Sequence, residues 1–274
     1  SGLAHNGFLP IPEIQFLAYF HNAEDQLRGE AATLSFFSQG KYINPMVIRI
    51  AGLAYQKGFG GHFHNDNSLT IFRDIPGIIL ACPSNGSDAV KMLRTAVRQA
   101  YTNGRIVVFI EPIALYMVKD LHKPKDNKWS FKYPDINEEL PLGEFVTYGK
   151  GRALTIISYG NGIYQSLKAQ PEIEKKIKKK IKIIDLCWLS DINIDSILSE
   201  IGNSGKVLIV DECRMSGCHG EGLMALLYEK SKNNLSIKLH AAEDSFIPLG
   251  VAATSTLPNC ETIIHHSIEL YKNA

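Results

Sequence analysis

Short runs made almost wholly of apolar residues alternate with longer segments whose apolar residues recur at helical spacing, and this alternation constrains the fold more than any other feature of the chain. Ile106-Val107-Val108-Phe109-Ile110 has no polar position to turn toward solvent, so its strand must be covered on both faces, as in a parallel sheet flanked by helices. Similar strand-length runs lie at Ile11 to Phe16, Met46 to Ile50, Ile78 to Cys82, Ala153 to Tyr159, Ile181 to Leu186, Lys206 to Asp211 and Ile237 to Ala241. Amphipathic helical stretches fall between them: Ala23 to Phe37, Ser87 to Tyr101, Ile163 to Lys178, Asp191 to Ile201, Gly220 to Lys230 and Thr262 to Lys272. The expected fold class is α/β. With 274 residues, the chain exceeds the ~250 residues at which single cores stop growing, so two three-layer α/β/α units with mainly parallel sheets are expected. Between Tyr116 and Tyr148 the pattern lapses into Lys123-Pro124-Lys125-Asp126-Asn127-Lys128, Pro134 and Pro141, a polar, Pro-punctuated composition of the kind that joins domains. The expected division is residues 1–122, a linker over 123–147, and residues 148–274.

Charge and cysteine content narrow the function classes. The formal net charge is +1, which gives no general attraction to phosphates or anionic lipid, so neither nucleic acid nor membrane is an expected partner. No apolar run approaches the ~20 residues that span a bilayer. Cys82, Cys187, Cys213, Cys218 and Cys260 are odd in number and contain no CxxC pair, which suits reduced thiols in a cytoplasm-like compartment and offers no zinc framework. No GxGxxG or GxxxxGK[ST] follows a strand, which disfavours a nucleotide-cradling loop. The block Lys175-Lys176-Ile177-Lys178-Lys179-Lys180 is basic enough for a polyanion, but cations also complement the end of a helix, and the solvated helix end is the preferred reading.

The densest polar cluster follows the second strand: Tyr55-Gln56-Lys57-Gly58-Phe59-Gly60-Gly61-His62-Phe63-His64-Asn65-Asp66-Asn67-Ser68. Its glycines permit tight turning or close approach to a ligand, and the loop lies at a strand carboxyl end, where open α/β sheets bind ligands. Three readings stay open for the His-x-His pair: metal ligation, hydrogen-bonded capping of the loop, and proton transfer near neutral pH. No partner motif for a metal accompanies the histidines, and no metal ligand is assigned.

An ordered series of segments carries a resemblance. Pro12-Glu13-Ile14-Gln15-Phe16-Leu17-Ala18-Tyr19-Phe20, Glu24-Asp25-Gln26 with Glu30-Ala31-Ala32, Pro45-Met46-Val47-Ile48-Arg49, Gly60-Gly61-His62-Phe63-His64, Pro76-Gly77-Ile78 with Pro83, Asp88 and Ala89, and Val108-Phe109-Ile110-Glu111-Pro112 follow one another. Together they resemble the β half of the E1 component of 2-oxo acid dehydrogenase complexes, a thiamin-diphosphate family of the transketolase-like superfamily. In the second half, Pro141-Leu142-Gly143, Leu154-Thr155-Ile156-Ile157-Ser158-Tyr159-Gly160, Ile184-Asp185-Leu186 and Val207-Leu208-Ile209-Val210-Asp211-Glu212 are similar to that family's C-terminal domain.

The resemblance implies a transketolase-type pyrimidine-binding domain followed by a transketolase C-terminal domain. It implies oxidative decarboxylation of a 2-oxo acid, pyruvate or branched-chain, with acyl transfer to lipoyl-bearing E2. Thiamin diphosphate and magnesium are the implied cofactors, held mainly by an E1 α half or subunit, and β portions would pair as a homodimer. The location implied is cytoplasmic, or the mitochondrial matrix in a eukaryote. His64 matches the family histidine beside the reacting carbon and is the expected catalytic residue; Asn65 follows it where Ser is common in the family. His62 is an expected supporting contact. Tyr19 matches the aromatic position against the aminopyrimidine, although Phe16, Tyr19 and Phe20 also suit an apolar core at a strand end.

The family's activating glutamate lies upstream of the segment matching Phe8-Leu9-Pro10, and Glu13 belongs to a strand, so no residue here is expected in that role. Leu3-Ala4 and Phe8-Leu9-Pro10 are apolar where termini are usually polar and frayed, and the expectation is that the sequence opens inside a domain. The chain alone is then expected to hold the cofactor poorly and to be inactive. Two other readings remain: a transketolase-like sugar-phosphate synthase, for which the loop offers His62, His64 and Lys57 but no arginine cluster, and a non-catalytic partner of an E1 or E2 assembly.

Overall fold

The architecture comes from a computed structural model that describes residues 1–56, 60–232 and 234–273. Lys57, Gly58 and Phe59 of the Gly-rich loop lie outside the described residues. Four strands, β1 (Glu13–Ile14), β2 (Met46–Gly52), β3 (Ile78–Ala81) and β4 (Ile106–Pro112), form the first sheet in the order β1-β2-β4-β3, every pairing parallel. Five more, β5 (Val146–Tyr148), β6 (Thr155–Ser158), β7 (Lys182–Asp185), β8 (Lys206–Arg214) and β9 (Ser236–Ala242), form the second in the order β5-β7-β6-β8-β9. Only the β5 to β7 pairing in that sheet is antiparallel.

The apolar strands sort their side chains by parity. Met46, Ile48 and Ile50 of β2 and Ile106, Val108 and Ile110 of β4 enter one core, while Val47, Val107 and Phe109 face the opposite side with Met92, Ala96 and Ala100. That alternation is what the pleat demands, and it explains why runs with no polar position are tolerated. Ile157, Ile184, Val207 and Ile209 of the second sheet belong to the same core as Ile48 and Ile110, so one contiguous apolar cluster joins the two sheets.

Helices cover the outer faces. They are α1 (Gly2–His5), α2 (Phe20–Asp25), α3 (Ala32–Phe37), α4 (Gly86–Asn103), α5 (Gly160–Ile177), α6 (Ile194–Ile201), α7 (His219–Lys230) and α8 (Cys260–Asn273). The α4 start is set by Asn85, whose side chain accepts from the Asp88 N–H at 3.0 Å, and its end by Gly104 at φ 66°. A π-helical turn, Gln26–Ala31, links α2 to α3, so the expected single helix from Ala23 to Phe37 is present but locally widened.

Two elements differ from the sequence reading. The first strand is two residues long because Pro10 and Pro12 donate nothing to the ladder; their carbonyls still accept from Val47 and Arg49 at 3.2 and 2.9 Å. Beyond it, Leu17–Tyr19 coil into a 3-10 turn that swings Tyr19 off the sheet. The second difference is β5, a short antiparallel edge that a Pro- and Gly-rich context hid. The segment ahead of β5 is packed: Trp129 is buried against Leu154 and Ile156, and Leu140 is buried beside Trp188.

Candidate active site

Tyr19 and His64 arrive from separate elements, the 3-10 turn after β1 and the end of another 3-10 turn, Gly61–Phe63, after β2. Their side chains meet: the Tyr19 hydroxyl lies 3.3 Å from His64 Nε2. The other ring nitrogen, Nδ1, is 3.3 Å from the Gly60 carbonyl. Because a carbonyl can only accept, Nδ1 carries the hydrogen and Nε2 accepts from Tyr19. Phe16 supplies the floor, its ring edge-on to His64 with centroids 4.6 Å apart and to Tyr19 at 5.7 Å. Gly60 is required here on two counts. It sits at φ 67°, and a Cβ on it would fall 2.0 Å from His64 Nδ1.

A second pair stands beside the first and went unseen in the sequence. His21 Nε2 lies 2.9 Å from Asp66 Oδ2, joining the same two segments two residues further on. Asp66 is buried, and its Oδ1 accepts from the Asn67 N–H at 2.9 Å, the Ser68 hydroxyl at 2.8 Å and Arg214 at 3.3 Å. Arg214 comes from β8 of the second sheet and also reaches Ser68 Oγ at 2.6 Å.

Strand β8 contributes more. Glu212, 2% exposed, accepts from the Ala54 N–H at 2.6 Å and from the Asn161 amide at 2.8 Å, while its carbonyl accepts from the Asn67 amide at 2.7 Å. One residue of the second sheet thus holds the chain on both sides of the His64 turn. Burial, with Asp211 alongside, pushes the Glu212 carboxyl up to about 8.

Of the sequence-expected residues, the structure brings His64 and Tyr19 together and leaves His62 apart. The His62 ring is exposed and lies against Phe63, at 4.2 Å between centroids, and Phe246, at 5.6 Å. Tyr19 is 38% exposed, so its outer face is available to a flat ring. His21, Asp66, Glu212 and Arg214 were missed because the pairs that define them span 45 to 158 residues. Among the described residues, the His, Cys, Asp or Glu group that converges as metal ligands would is His265, His266 and Glu269 on α8, which packs on α5, β8 and β9. A cavity of about 610 Å³ elsewhere is lined by Arg49, Ser84, Asn85, Glu111, Tyr116 and Trp129; it includes neither Tyr19 nor His64.

Comparison with known proteins places the fold. Residues 1–118 match the pyrimidine binding domain of transketolase, and residues 143–247 match the transketolase C-terminal domain. The chain belongs to the transketolase-like superfamily. Within it, the chain is of the E1 β-subunit type, similar to the pyruvate dehydrogenase E1 component subunit beta of Bacillus subtilis at 27% identity, over 96% of this chain and 76% of that protein. The corresponding Staphylococcus epidermidis subunit is 29% identical over 97% of this chain and 77% of its own length. Among solved structures, a split-gene transketolase described as an inactive beta4 tetramer superposes with a TM-score of 0.69 at 16% identity, covering 96% of this chain and 76% of that one. A transketolase mutant from Pichia stipitis gives 0.63 at 14% identity, covering 95% and 34%. These two likenesses establish the transketolase-like fold. No helix among the described residues is long and apolar enough to cross a membrane.

Proposed function

We propose that this chain supplies the acyl-handling face of a thiamin-diphosphate-dependent 2-oxo acid dehydrogenase E1, with His64 as the catalytic residue and Tyr19 against the aminopyrimidine. The observation that carries the reading is the Tyr19 to His64 contact, formed by residues of two separate motifs on a chain of the E1 β type. When bound, the cofactor supplies the electron sink for decarboxylation. The residues of this chain would hold and serve it. Tyr19, braced edge-on by Phe16, offers an exposed ring to the pyrimidine. His64, with Nδ1–H committed to Gly60, presents Nε2 as the atom that would accept a hydrogen bond or take up a proton, and return it, as the acyl group passes to a lipoyl acceptor. Glu212 and Arg214 keep the segment that carries His64 in place. His62 is a supporting contact at the rim.

Diphosphate and magnesium would be held by an E1 α partner, since the acidic side chain beside Tyr19 and His64, Asp66, is already satisfied by four partners. Further expected partners are lipoyl-bearing E2 and a second β portion. Four thiols, Cys82, Cys187, Cys213 and Cys218, are buried and unbridged, which supports a reducing, cytoplasmic setting. The deciding experiment reconstitutes the chain with a candidate α subunit and lipoyl-E2, then follows acyl transfer from pyruvate and from 3-methyl-2-oxobutanoate. Turnover of either substrate that needs both subunits supports the reading; a reconstituted complex that instead transfers ketol units between sugar phosphates would overturn it.

A further inference from the structure

We propose that His21 and Asp66 form an imidazole–carboxylate unit, the second side-chain pair of the active face, through which His21 exchanges protons between the substrate side and solvent beside the Tyr19–His64 pair. The inference deepens the function proposed above, and its first test below does not depend on that function.

Register places the unit. Tyr19 touches His64, and two residues along each segment His21 touches Asp66, so both imidazoles line one seam between the turn after β1 and the turn after β2. The carboxylate is built to orient rather than to float. Its Oδ1 is saturated by Asn67, Ser68 and Arg214, leaving Oδ2 for His21 at 2.9 Å. A carboxylate fixed by several donors holds an imidazole in one tautomer and stabilises the imidazolium that forms when the ring takes a proton, the role of the acid in a Ser-His-Asp triad. Here the acceptor Oδ2 assigns the hydrogen to Nε2, which leaves Nδ1 as the basic atom.

Exposure is divided as such a relay needs. The His21 side chain is 50% exposed while that of Asp66 is 7%, so the base reaches water and the orienting acid does not. A proton taken at Nδ1 gives an imidazolium facing Asp66, and its release to water restores the neutral ring; no other reactant is consumed. Glu24 and Asp25 follow His21 by one helical turn on α2; the charged groups paired in the unit are Asp66, opposite the ring, and Arg214 behind Asp66, from β8 of the second sheet. The second half of the chain thereby tensions this unit as it does the His64 turn.

Two measurements test the proposal. Long-range proton–nitrogen NMR of the full chain, above the pH at which imidazoles titrate, should show His21 locked as the Nε2–H tautomer, and Asp66→Asn should release it into a tautomer mixture. A wild-type His21 that averages its tautomers as a solvent imidazole does would overturn the pairing. Should D66N fail to fold, the wild-type spectrum decides alone, with exposed His62 as the internal reference. In the enzyme reconstituted with its α partner, His21→Gln should lower kcat by about 100-fold while leaving the thermal transition and cofactor affinity unchanged. A kcat within about threefold of wild type would reduce the pair to structure and overturn the relay. A wild-type complex without 2-oxo acid turnover would count against the E1 reading, and the NMR result would still decide the pairing.

Discussion

At the scale of single residues, the site rests on one imidazole whose two nitrogens have different duties. His64 Nδ1 is tied to Gly60 and Nε2 to Tyr19, so changes at the three positions should separate. His64→Ala removes the group proposed to react and should depress turnover with lipoyl-E2 by about 100-fold or more, with cofactor affinity little changed; an equal loss of both would contradict the proposed role. Tyr19→Phe keeps the ring and loses only the hydroxyl, so cofactor affinity should hold while kcat falls by less than in the His64 variant. Gly60→Ala should resemble His64→Ala in kcat and also cost about 1–2 kcal/mol of stability, because the left-handed backbone disfavours a Cβ and that Cβ would collide with the ring at 2.0 Å. Thermal melts read beside kcat would show both effects. Tyr19 and His64 could be singled out in sequence because each falls in a segment that carries the family resemblance, and the structure brings them together. His21 could not be, because its meaning depends on a carboxylate 45 residues away that only the fold delivers.

At the scale of elements, the end of β8 is the structural hinge pin of the site. Glu212 reaches Ala54 and Asn67 in the first half and Asn161 in the second, and Arg214 reaches Ser68 and Asp66. Glu212→Gln keeps the shape but sets an amide NH2 against either the Ala54 N–H or the Asn161 NH2. The unsatisfied buried donor should cost about 1–3 kcal/mol, read as a lowered denaturation midpoint, and should raise amide hydrogen exchange at residues 60 to 68 above that of β4. Unchanged exchange there would refute the anchoring. Element existence was largely readable, since β2, β4, β6 and β8 are apolar runs bounded by helical periodicity. The losses came where local chemistry competes with pattern. Pro10 and Pro12 shorten β1, and β5 has three residues behind Pro141 and Gly143. The sequence reading ended this strand at Asp211, whereas β8 runs on through Glu212 to Arg214 and buries both acidic side chains; burial of an acidic residue is a property of the assembled halves and leaves no periodic mark.

At the scale of the whole molecule, the two sheets share one apolar core, with Ile48 and Ile110 in the same cluster as Ile157 and Ile209, so thermal unfolding should be a single cooperative transition. Its pH dependence near neutrality follows from three buried groups, Asp185, Glu212 and His219, and the half-buried His240. Burial, with Asp88 nearby, pushes Asp185 up to about 7, and Glu212 stands at about 8. Both therefore hold protons in the folded state that the unfolded chain releases near 4. Their stabilisation is complete below about pH 4 and is lost as pH rises through 7 and 8. Burial holds His219 and His240 down at about 4, whereas the unfolded chain protonates them near 6.5, so their stabilisation is complete above that value and is lost as pH falls toward 4. From about pH 4 to 6.5 the two sets oppose each other. Above about pH 6.5 the acids act first, and stability should decline by about 1.4 kcal/mol per pH unit for each proton held; above about pH 8 the thiols of Cys82, Cys187 and Cys213, which burial pushes up, extend the decline. Calorimetry at intervals across that range should therefore show Tm falling from near neutrality into mild alkali, with the fall reduced in Glu212→Gln, which has no proton to lose. A Tm that rises over the same interval, or a Glu212→Gln curve parallel to wild type, would mean that the carboxyl is ionised throughout and that its contacts with Ala54 and Asn161 outweigh the burial that drives the shift.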